Sequence, residues 1–150
     1  RAHMFNRAGA PWLSQKWVRK VKAAYGDITP YGGYRDDEDQ GQMGALGVLM
    51  AIGLFEVDGG CGTNPAYELT SPLFDKVTIR LNPDYYPGEK FEIITRNNSE
   101  RNMYIRRASL NGEVWNDCAV PHAELVKGGT LVLDMGATPN KKWGTKTFSK

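Results

Sequence analysis

Four consecutive acidic residues are the segment of this 150-residue chain with the clearest chemical potential: Asp36, Asp37, Glu38 and Asp39. Crowded carboxylates repel one another, so the folded protein must compensate them. A helix N-terminus could do so, and so could a bound cation with oxygen ligands. A third possibility is catalysis, in which one carboxylate activates water while its neighbour tunes it. Acids are common at helix starts, so the residues alone favour the helix N-terminus, with the other two explanations open.

Two helical patterns flank the acidic segment. In the first, Pro11 suits an opening turn, and an apolar face follows at three- and four-residue spacing: Leu13, Trp17, Val21, Ala24 and Tyr25. The other face carries Lys16, Arg19, Lys20 and Lys22, which predicts a solvated surface. In the second pattern, nearly every residue from Met43 to Phe55 is apolar or glycine. Such a helix must be buried on all sides, which two helices cannot achieve alone, so we expect further helices upstream of Arg1.

The hydrophobic period changes from 3.6 to 2 near Cys61, which divides the chain into segments 1–60 and 61–150. Short β-rich runs follow, and Asn111-Gly112 is a strong hairpin signal. Pro121 to Lys127 is consistent with one or two helical turns between strands. We therefore predict an α+β fold: residues 1–60 with two helices, Asp37 and Asp39 at the start of the second, and a small antiparallel β-module over 66–136.

Composition narrows the class of protein. The chain has 19 Lys and Arg against 17 Asp and Glu, and its basic residues form only short pairs such as Arg106-Arg107, so nucleic acid is not the expected partner. No apolar run is long enough to cross a membrane. The first residues contain neither a signal peptide nor an initiator Met, so we expect a piece of a longer protein. The two cysteines lack metal-binding spacing, and unpaired thiols are favoured over a disulfide.

An ordered set of motifs resembles the C-terminal part of glycoside hydrolase family 92. The acidic motif runs Asp37-Glu38-Asp39-Gln40-Gly41-Gln42-Met43, and Ser71-Pro72-Leu73-Phe74-Asp75-Lys76 follows the apolar helix. Other matching positions occur in the same order as in the family: Asn6, Ala8-Gly9, Pro11-Trp12, Gln15, Asn97-Asn98-Ser99, Tyr104-Ile105, Leu110-Asn111-Gly112, Gly128-Gly129-Thr130-Leu131 and Met135-Gly136. The resemblance therefore covers most of the chain.

The resemblance implies a calcium-dependent, inverting exo-α-mannosidase that hydrolyses α-mannosides of glycans. It assigns residues 1–60 to the last helices of an (α/α)₆ catalytic barrel and 61–150 to a C-terminal β-module. By position in the motif, Asp39 is the general base and Asp37 its support, whereas no residue is assigned to the calcium. The partners implied are a mannose-containing glycan and the missing N-terminal part of the same protein, in the bacterial periplasm or outside the cell.

An inverting glycosidase needs a carboxylate base and a carboxylic acid on opposite sides of the sugar, roughly 6.5–9.5 Å apart. Asp37 and Asp39 are too close in sequence to be that pair, so the acid must come from upstream of this chain, and we expect the chain alone to be inactive. After Gly41-Gln42 the family usually has Met-Ser-Ala-Trp-Tyr, whereas this chain has Met43-Gly44-Ala45-Leu46-Gly47. That departure bears on fine specificity rather than on the reaction.

The alternative is a non-catalytic carbohydrate-binding or structural β-module. A carbohydrate-binding role would use aromatic rings as sugar platforms, with Trp115, Trp143, Tyr85 and Tyr86 as candidates, although such rings are more often part of a small core. Bracing of the barrel is the simplest role for residues 61–150 considered alone. His3 and His122 are too few and too distant in sequence for a histidine-based metal cluster.

Overall fold

The computed structural model of the chain describes residues 2–25, 33 and 41–148. Within those residues the fold is α+β, as predicted. The helices are α1 (Pro11–Ala23), α2 (Gln42–Ile52) and the short α3 (His122–Leu125). The strands are β1 (Leu54–Phe55), β2 (Ala66–Leu69), β3 (Lys76–Arg80), β4 (Lys90–Arg96), β5 (Tyr104–Leu110), β6 (Glu113–Val114), β7 (Ala119–Pro121) and β8 (Gly129–Gly136). None of the helices in these ranges is long and apolar enough to cross a membrane.

The strands form two sheets, ordered β1-β2-β7 and β3-β4-β8-β5-β6. The prediction of a purely antiparallel module is wrong, because β8 enters the centre of the larger sheet and pairs in parallel with β4 and antiparallel with β5. Alternation of apolar residues reveals which face of a strand is buried but carries no information on strand direction. Leu131, Leu133 and Met135 of β8 are buried as that alternation requires.

Helix α1 packs through a face other than the one its apolar residues predicted. Its buried residues are Pro11, Ser14, Gln15 and Val18, whereas Trp17 is 41% exposed. The prediction therefore fails in orientation, because buried hydrogen bonds tie Ser14 to the backbone of Asn6 and Gln15 to the backbone of Ile105, 90 residues away. The apolar stripe containing Leu13 and Trp17 is left at least partly exposed.

Helix α2 is apolar all round but only partly covered. Gly47, Met50 and Ala51 are buried, whereas Val48 is 62% exposed. Burial on all sides is thus not achieved by the described part of the chain. The helix ends at Ile52, and β1 follows at once, inside the segment for which only helices were predicted.

Glycine is required where α2 gives way to β1. Gly53 caps the helix with φ 80°, and a Cβ built on it would lie 2.6 Å from Cγ of Pro72. The left-handed conformation and the proline ring therefore both exclude a side chain here. This contact seats the Ser71-Pro72 segment against the end of α2.

Two local predictions are confirmed. Asn111 and Gly112 both have positive φ and connect β5 to β6 with Leu110 paired to Glu113, as a two-residue hairpin turn requires. The segment after Pro121 forms the single helical turn α3. Both outcomes depend on residues close in sequence, which is why pattern alone was sufficient.

The hydrophobic core lies in the β-module and includes Leu69, Phe91, Ile105, Leu131 and Leu133. The segment after β8, residues 137–148, returns across the molecule and inserts Trp143, whose side chain is buried. Both cysteines are unpaired, as predicted, with Cys61 exposed and Cys118 buried. Burial raises the pKa of the Cys118 thiol to about 11, so it remains protonated as a small core residue.

Candidate functional site

The predicted catalytic aspartates Asp37 and Asp39 lie outside the described residues, as do Asp36 and Glu38. The structure describes the helices on both sides of residues 26–40. On one side, α1 ends at Ala23; on the other, α2 begins at Gln42. A Cβ on Gly47 of α2 would contact the ring of Tyr25 at 3.4 Å, so the two helices meet closely where the chain leaves α1.

The start of α2 bears directly on the explanation of the acids as helix caps. The N-cap is Gly41, with φ 68°, and the first turn of the helix contains no acidic residue. The stabilising effect of a helix N-terminus on carboxylates fades beyond the first turn. None of the four acids therefore occupies the N-cap or the first turn of α2, the positions where a helix N-terminus stabilises a carboxylate most.

Arg19 holds together two motifs that are remote in sequence. Its Nε donates to Oγ of Ser71 at 2.9 Å and to the Ser71 carbonyl at 3.2 Å. Its Nη2 donates to the Pro72 carbonyl and to Oδ1 of Asn98, the latter at 2.5 Å. A planar guanidinium can serve several acceptors at once, and this one is half-buried among them. Its prediction as a solvated helix residue is wrong, because charge in a helical pattern does not reveal which acceptors the fold brings near.

Two motif residues, Asn6 and Gln15, also join α1 and the segment before it to the β-module. Asn6 donates from Nδ2 to the Leu69 carbonyl at 3.1 Å, and its backbone N–H donates to Oγ of Ser14 at 3.0 Å. Oε1 of Gln15 accepts the backbone N–H of Ile105 at 2.9 Å, beside a bulge in β5. All three polar side chains are buried. They fix the segment before α1, and α1 itself, on the β-module.

Glu68 is a buried carboxylate that the sequence analysis missed. Its Oε1 accepts Nε of Arg7 at 2.9 Å, and Arg7 also contacts Asp58 at 2.6 Å. Burial outweighs the attraction of Arg7 and raises the pKa of Glu68, whereas the two carboxylates raise the pKa of Arg7. No sequence signal marked Glu68, because it looks like an ordinary polar residue in a short strand.

A buried polar cluster surrounds Glu68 on one side of the smaller sheet. His3 stacks on Phe55 with ring centroids 4.1 Å apart, and Phe55 is the cross-strand partner of Glu68. Burial lowers the pKa of His3 to about 4, so the ring is neutral near pH 7. Nε2 of His3, Oε2 of Glu68 and Oγ1 of Thr70 have no hydrogen-bond partner among the described residues. Buried polar atoms of this kind are usually satisfied by water or by another part of a protein.

The described residues do not fit a calcium site. Within residues 2–25, 33 and 41–148, no three His, Cys, Asp or Glu side chains converge where a metal ion could bind. Two carboxylates of the larger sheet are paired with cations: Glu92 lies 2.8 Å from Lys76, and Asp134 lies 3.0 Å from Arg107.

The aromatic residues considered as sugar platforms are not equivalent. Trp143 is 4% exposed, and its indole N–H donates to the Trp115 carbonyl at 2.9 Å. The indole N–H of Trp115 donates to the Ala119 carbonyl at 3.1 Å. Of the four, Tyr85 is prominently exposed, at 79%. His122 lies 3.2 Å from the Tyr67 hydroxyl through Nδ1, in an aromatic cluster that also includes Tyr86.

Known proteins resemble the chain over nearly its full length. A sequence model of the glycosyl hydrolase family 92 catalytic domain matches residues 1–137. An uncharacterized secreted glycosidase of Arthroderma benhamiae is 29% identical over 143 residues, which are 95% of this chain and 18% of that protein.

Solved structures agree with this match. A family GH92 α-mannosidase of Bacteroides thetaiotaomicron, solved in complex with mannoimidazole, superposes with a TM-score of 0.84 at 26% identity over 96% of this chain and 18% of its own. A family GH92 inverting mannosidase of Bacteroides thetaiotaomicron VPI-5482 gives a TM-score of 0.83 at 34% identity over 97% of this chain and 19% of its own. The chain thus spans less than a fifth of the length of these relatives. On the family match and these similarities, the chain belongs to glycosyl hydrolase family 92.

Proposed function

We propose that the chain is the C-terminal part of an inverting exo-α-mannosidase that hydrolyses α-mannosides of glycans. The observation that carries the proposal is the family match over residues 1–137, together with a fold similar to that of α-mannosidases. One of those relatives is described as inverting, and another was solved with mannoimidazole. The partner it implies is a mannose-containing glycan.

In this proposal, Asp39 is the general base and Asp37 supports it. Asp39 would take a proton from the water that attacks the anomeric carbon, while an acid on the opposite side of the sugar protonates the leaving oxygen. The acid belongs to the missing N-terminal part of the protein, which completes the active site. The N-cap of α2 is Gly41, so neither aspartate occupies that position, which favours a chemical role for the acidic motif.

The buried polar contacts suggest how the chain serves such a site. Arg19, Asn6 and Gln15 fix α1 on the β-module, and Tyr25 contacts α2 at Gly47. Both ends of residues 26–40 are thereby anchored. A general base must be held within hydrogen-bond reach of its water, so rigid flanks favour catalysis. We propose that residues 1–60 complete an (α/α)₆ barrel and that residues 61–150 brace it.

Calcium dependence is proposed from the family resemblance. In glycosidases that use calcium, the ion acts as a Lewis acid that binds sugar hydroxyls. The described residues offer no cluster for it, so its ligands would come from other residues of the protein. Removal of calcium from the full-length enzyme with a chelator is expected to abolish mannoside hydrolysis, and added calcium should restore it; turnover that persists after chelation would contradict the dependence.

Location outside the bacterial cytoplasm, in the periplasm or medium, is likewise proposed. The support is the relative from Arthroderma benhamiae, which is described as secreted. Fractionation of cells that express the full-length protein would test it.

The decisive test of the proposed function is Asp39→Asn in the full-length protein. Asparagine preserves size and most hydrogen bonds but cannot accept the proton, so kcat on an α-mannoside should fall by roughly 10²–10⁴. Thermal stability should be nearly unchanged. Asp37→Asn should also impair turnover, whereas Asp84→Asn, in an exposed loop of the β-module, should leave it intact. Near-normal turnover of a folded Asp39→Asn enzyme would remove Asp39 from the mechanism.

A further inference from the structure

The outer face of the five-stranded sheet carries a groove of about 520 Å³ that the proposed catalytic function does not use. Strands β4, β8 and β5 form its floor, and residues 137–148 border it. We call it the basic groove and define it by Arg96, Arg106, Arg107, Lys142, Asp134 and Asn116. Four of these six side chains are cationic and one is anionic.

A bulge in β5 creates the unusual density of arginine. The register shifts between Ile105, which pairs with Met135, and Arg107, which pairs with Asp134. Arg106 is the additional residue, and both arginines are exposed although they are consecutive in a strand. Regular alternation would have turned one of them inward. The bulge therefore places two guanidinium groups on the same side of the sheet.

The single carboxylate of the basic groove does not neutralise it. Asp134 lies 3.0 Å from Nη2 of Arg107 and 3.8 Å from Nη1 of Arg96, whose side chains are 82% and 66% exposed. One carboxylate shared between two forked guanidinium groups leaves most of their N–H donors directed to solvent. These donors are suited to bind sulfate, phosphate or carboxylate groups in a bidentate manner.

Residues 137–148 build the second wall. Nη1 of Arg106 donates to the carbonyl and to Oγ1 of Thr138 at 2.8 Å, and Asn140 donates from Nδ2 to the Arg106 carbonyl at 2.8 Å. Buried Trp143 anchors this wall next to Lys142. Side-chain hydrogen bonds and a core residue thus hold the groove in shape.

Charge is concentrated on this face. The basic groove continues into a second depression through the shared residues Asn116 and Lys142, which adds Lys141, Lys146 and Asp117. Together the two hold six cations and two carboxylates, a net charge of +4. The rest of the chain holds 13 cations and 15 carboxylates and is net negative. Such separation attracts polyanions and speeds their association.

We propose that the basic groove binds the anionic groups of an acidic polysaccharide, such as sulfate or carboxylate groups. The choice of a polysaccharide rests on the proposed glycosidase function; the anionic chemistry rests on the groove itself. Trp143 is the aromatic residue among its lining residues and is buried, so no base-stacking platform favours single-stranded nucleic acid there. An open groove along strands also suits an extended chain better than a small molecule.

The test measures binding of dextran sulfate to the full-length protein, with neutral dextran of the same length as the control ligand. Arg96→Gln with Arg107→Gln should weaken binding by about tenfold or more, because charge-assisted hydrogen bonds are lost. The matched control is Arg80→Gln with Arg101→Gln, two exposed arginines of the same β-module outside the groove, which should change affinity less than about twofold. Lys142→Gln is a second variant should the first pair fail to fold.

Asp134→Asn gives a change of opposite sign. It removes the carboxylate that competes for Arg96 and Arg107, so dextran sulfate should bind severalfold more tightly and with a steeper dependence on salt. An equal loss in the groove and control variants, or no effect of Asp134→Asn, would overturn the proposal. Tighter binding of an oligonucleotide or of anionic vesicles through the same residues would overturn the polysaccharide assignment.

Turnover of a small α-mannoside, measured on the same preparations, separates the two proposals. If the groove acts in binding only, kcat should be unchanged in Arg96→Gln with Arg107→Gln. A wild-type protein that binds dextran sulfate through the groove yet hydrolyses no mannoside would leave the anion site standing and refute the mannosidase. Normal hydrolysis without dextran sulfate binding would refute the anion site and leave the mannosidase proposal standing.

Discussion

At the scale of single residues, the motif side chains Asn6 and Gln15, together with Arg19, join segments that are distant in the sequence. Asn6, Gln15 and Arg19 each satisfy backbone groups at least 50 residues away in the sequence. A buried carbonyl or N–H without a hydrogen-bond partner costs free energy. Each of these side chains therefore both attaches one segment to another and supplies a partner for a buried backbone group. The presence of Asn6 and Gln15 in the family motifs thus has a structural explanation, separate from the catalytic one proposed for Asp39.

Arg19→Lys is expected to destabilise the chain by about 1–3 kcal/mol, although it preserves the charge. Lysine has no planar fork, so it cannot reach Ser71, Pro72 and Asn98 together. The neighbouring Lys20→Arg, on the exposed side of α1, is the matched control and should stay within about 0.5 kcal/mol. Chemical denaturation of both variants measures the difference, and equal stabilities would mean that the Arg19 contacts contribute nothing.

Glu68→Gln should reveal a pH-dependent cost of burying a carboxylate. Burial raises the pKa of Glu68 in the folded protein. The stability that the protonated side chain contributes is therefore fully present below the ordinary pKa of 4.5 and is lost as the pH rises through the raised value. The glutamine variant lacks this titration. Its melting temperature relative to wild type should therefore increase from pH 4 toward neutrality. A constant difference would show that the Arg7 ion pair offsets burial, and a decreasing one that the ion pair outweighs it.

At the scale of elements, the sequence predicted the structures that depend on residues close in the chain. It failed for helix orientation and strand pairing, which depend on contacts with residues far away in the chain. The α1 and α2 segments, the Asn111-Gly112 hairpin and the turn after Pro121 were all recognised. The orientation of α1 was wrong because Ser14 and Gln15 are buried by hydrogen bonds that no periodicity records. The parallel pairing of β8 with β4 was missed for the same reason, since a strand's partner lies elsewhere in the chain.

The candidate site divides in the same way. The motif resemblance selected Asp37 and Asp39, and the structure supplies their flanks rather than the residues themselves. Arg19 and Glu68 could not be singled out by pattern, because a helical arginine and a strand glutamate are ordinary until the fold encloses them. The positive φ of Gly41 at the N-cap of α2 is equally invisible in a sequence rich in glycine.

Gly53→Ala tests the junction between α2 and β1. Alanine at φ 80° costs about 1 kcal/mol in strain, and its Cβ would in addition lie 2.6 Å from Pro72. Gly60→Ala is a matched control, since Gly60 has φ 73° with nothing within 4 Å. We expect Gly53→Ala to be more destabilising than Gly60→Ala by about 1–3 kcal/mol in urea unfolding. Equal losses would show that Pro72 moves aside freely.

At the scale of the whole molecule, several large apolar side chains of the described residues are exposed. Val48 of α2 and Trp17 of α1 are 62% and 41% exposed, and Phe74, beside the motif that Arg19 holds, is 50% exposed. The relatives are about five times as long as this chain. Extra chain is therefore available in those proteins to cover equivalent surfaces, consistent with the proposal that helices outside this chain complete the barrel.

The 150-residue chain on its own should therefore have little or no mannosidase activity and should self-associate. Activity should be lost because the proposed acid is absent, and removal of one partner of an acid–base pair costs roughly 10²–10⁴ in rate. Association should follow from the exposed apolar residues. Sedimentation velocity over a concentration series measures this association. Val48→Ser should shift the distribution toward monomer. The control is Val114→Ser, at a residue that is 76% exposed on the distant edge strand β6, and it should cause no such shift. Robust turnover by a verified monomer would contradict the incomplete active site, and association unaffected by Val48→Ser would remove α2 from the contact.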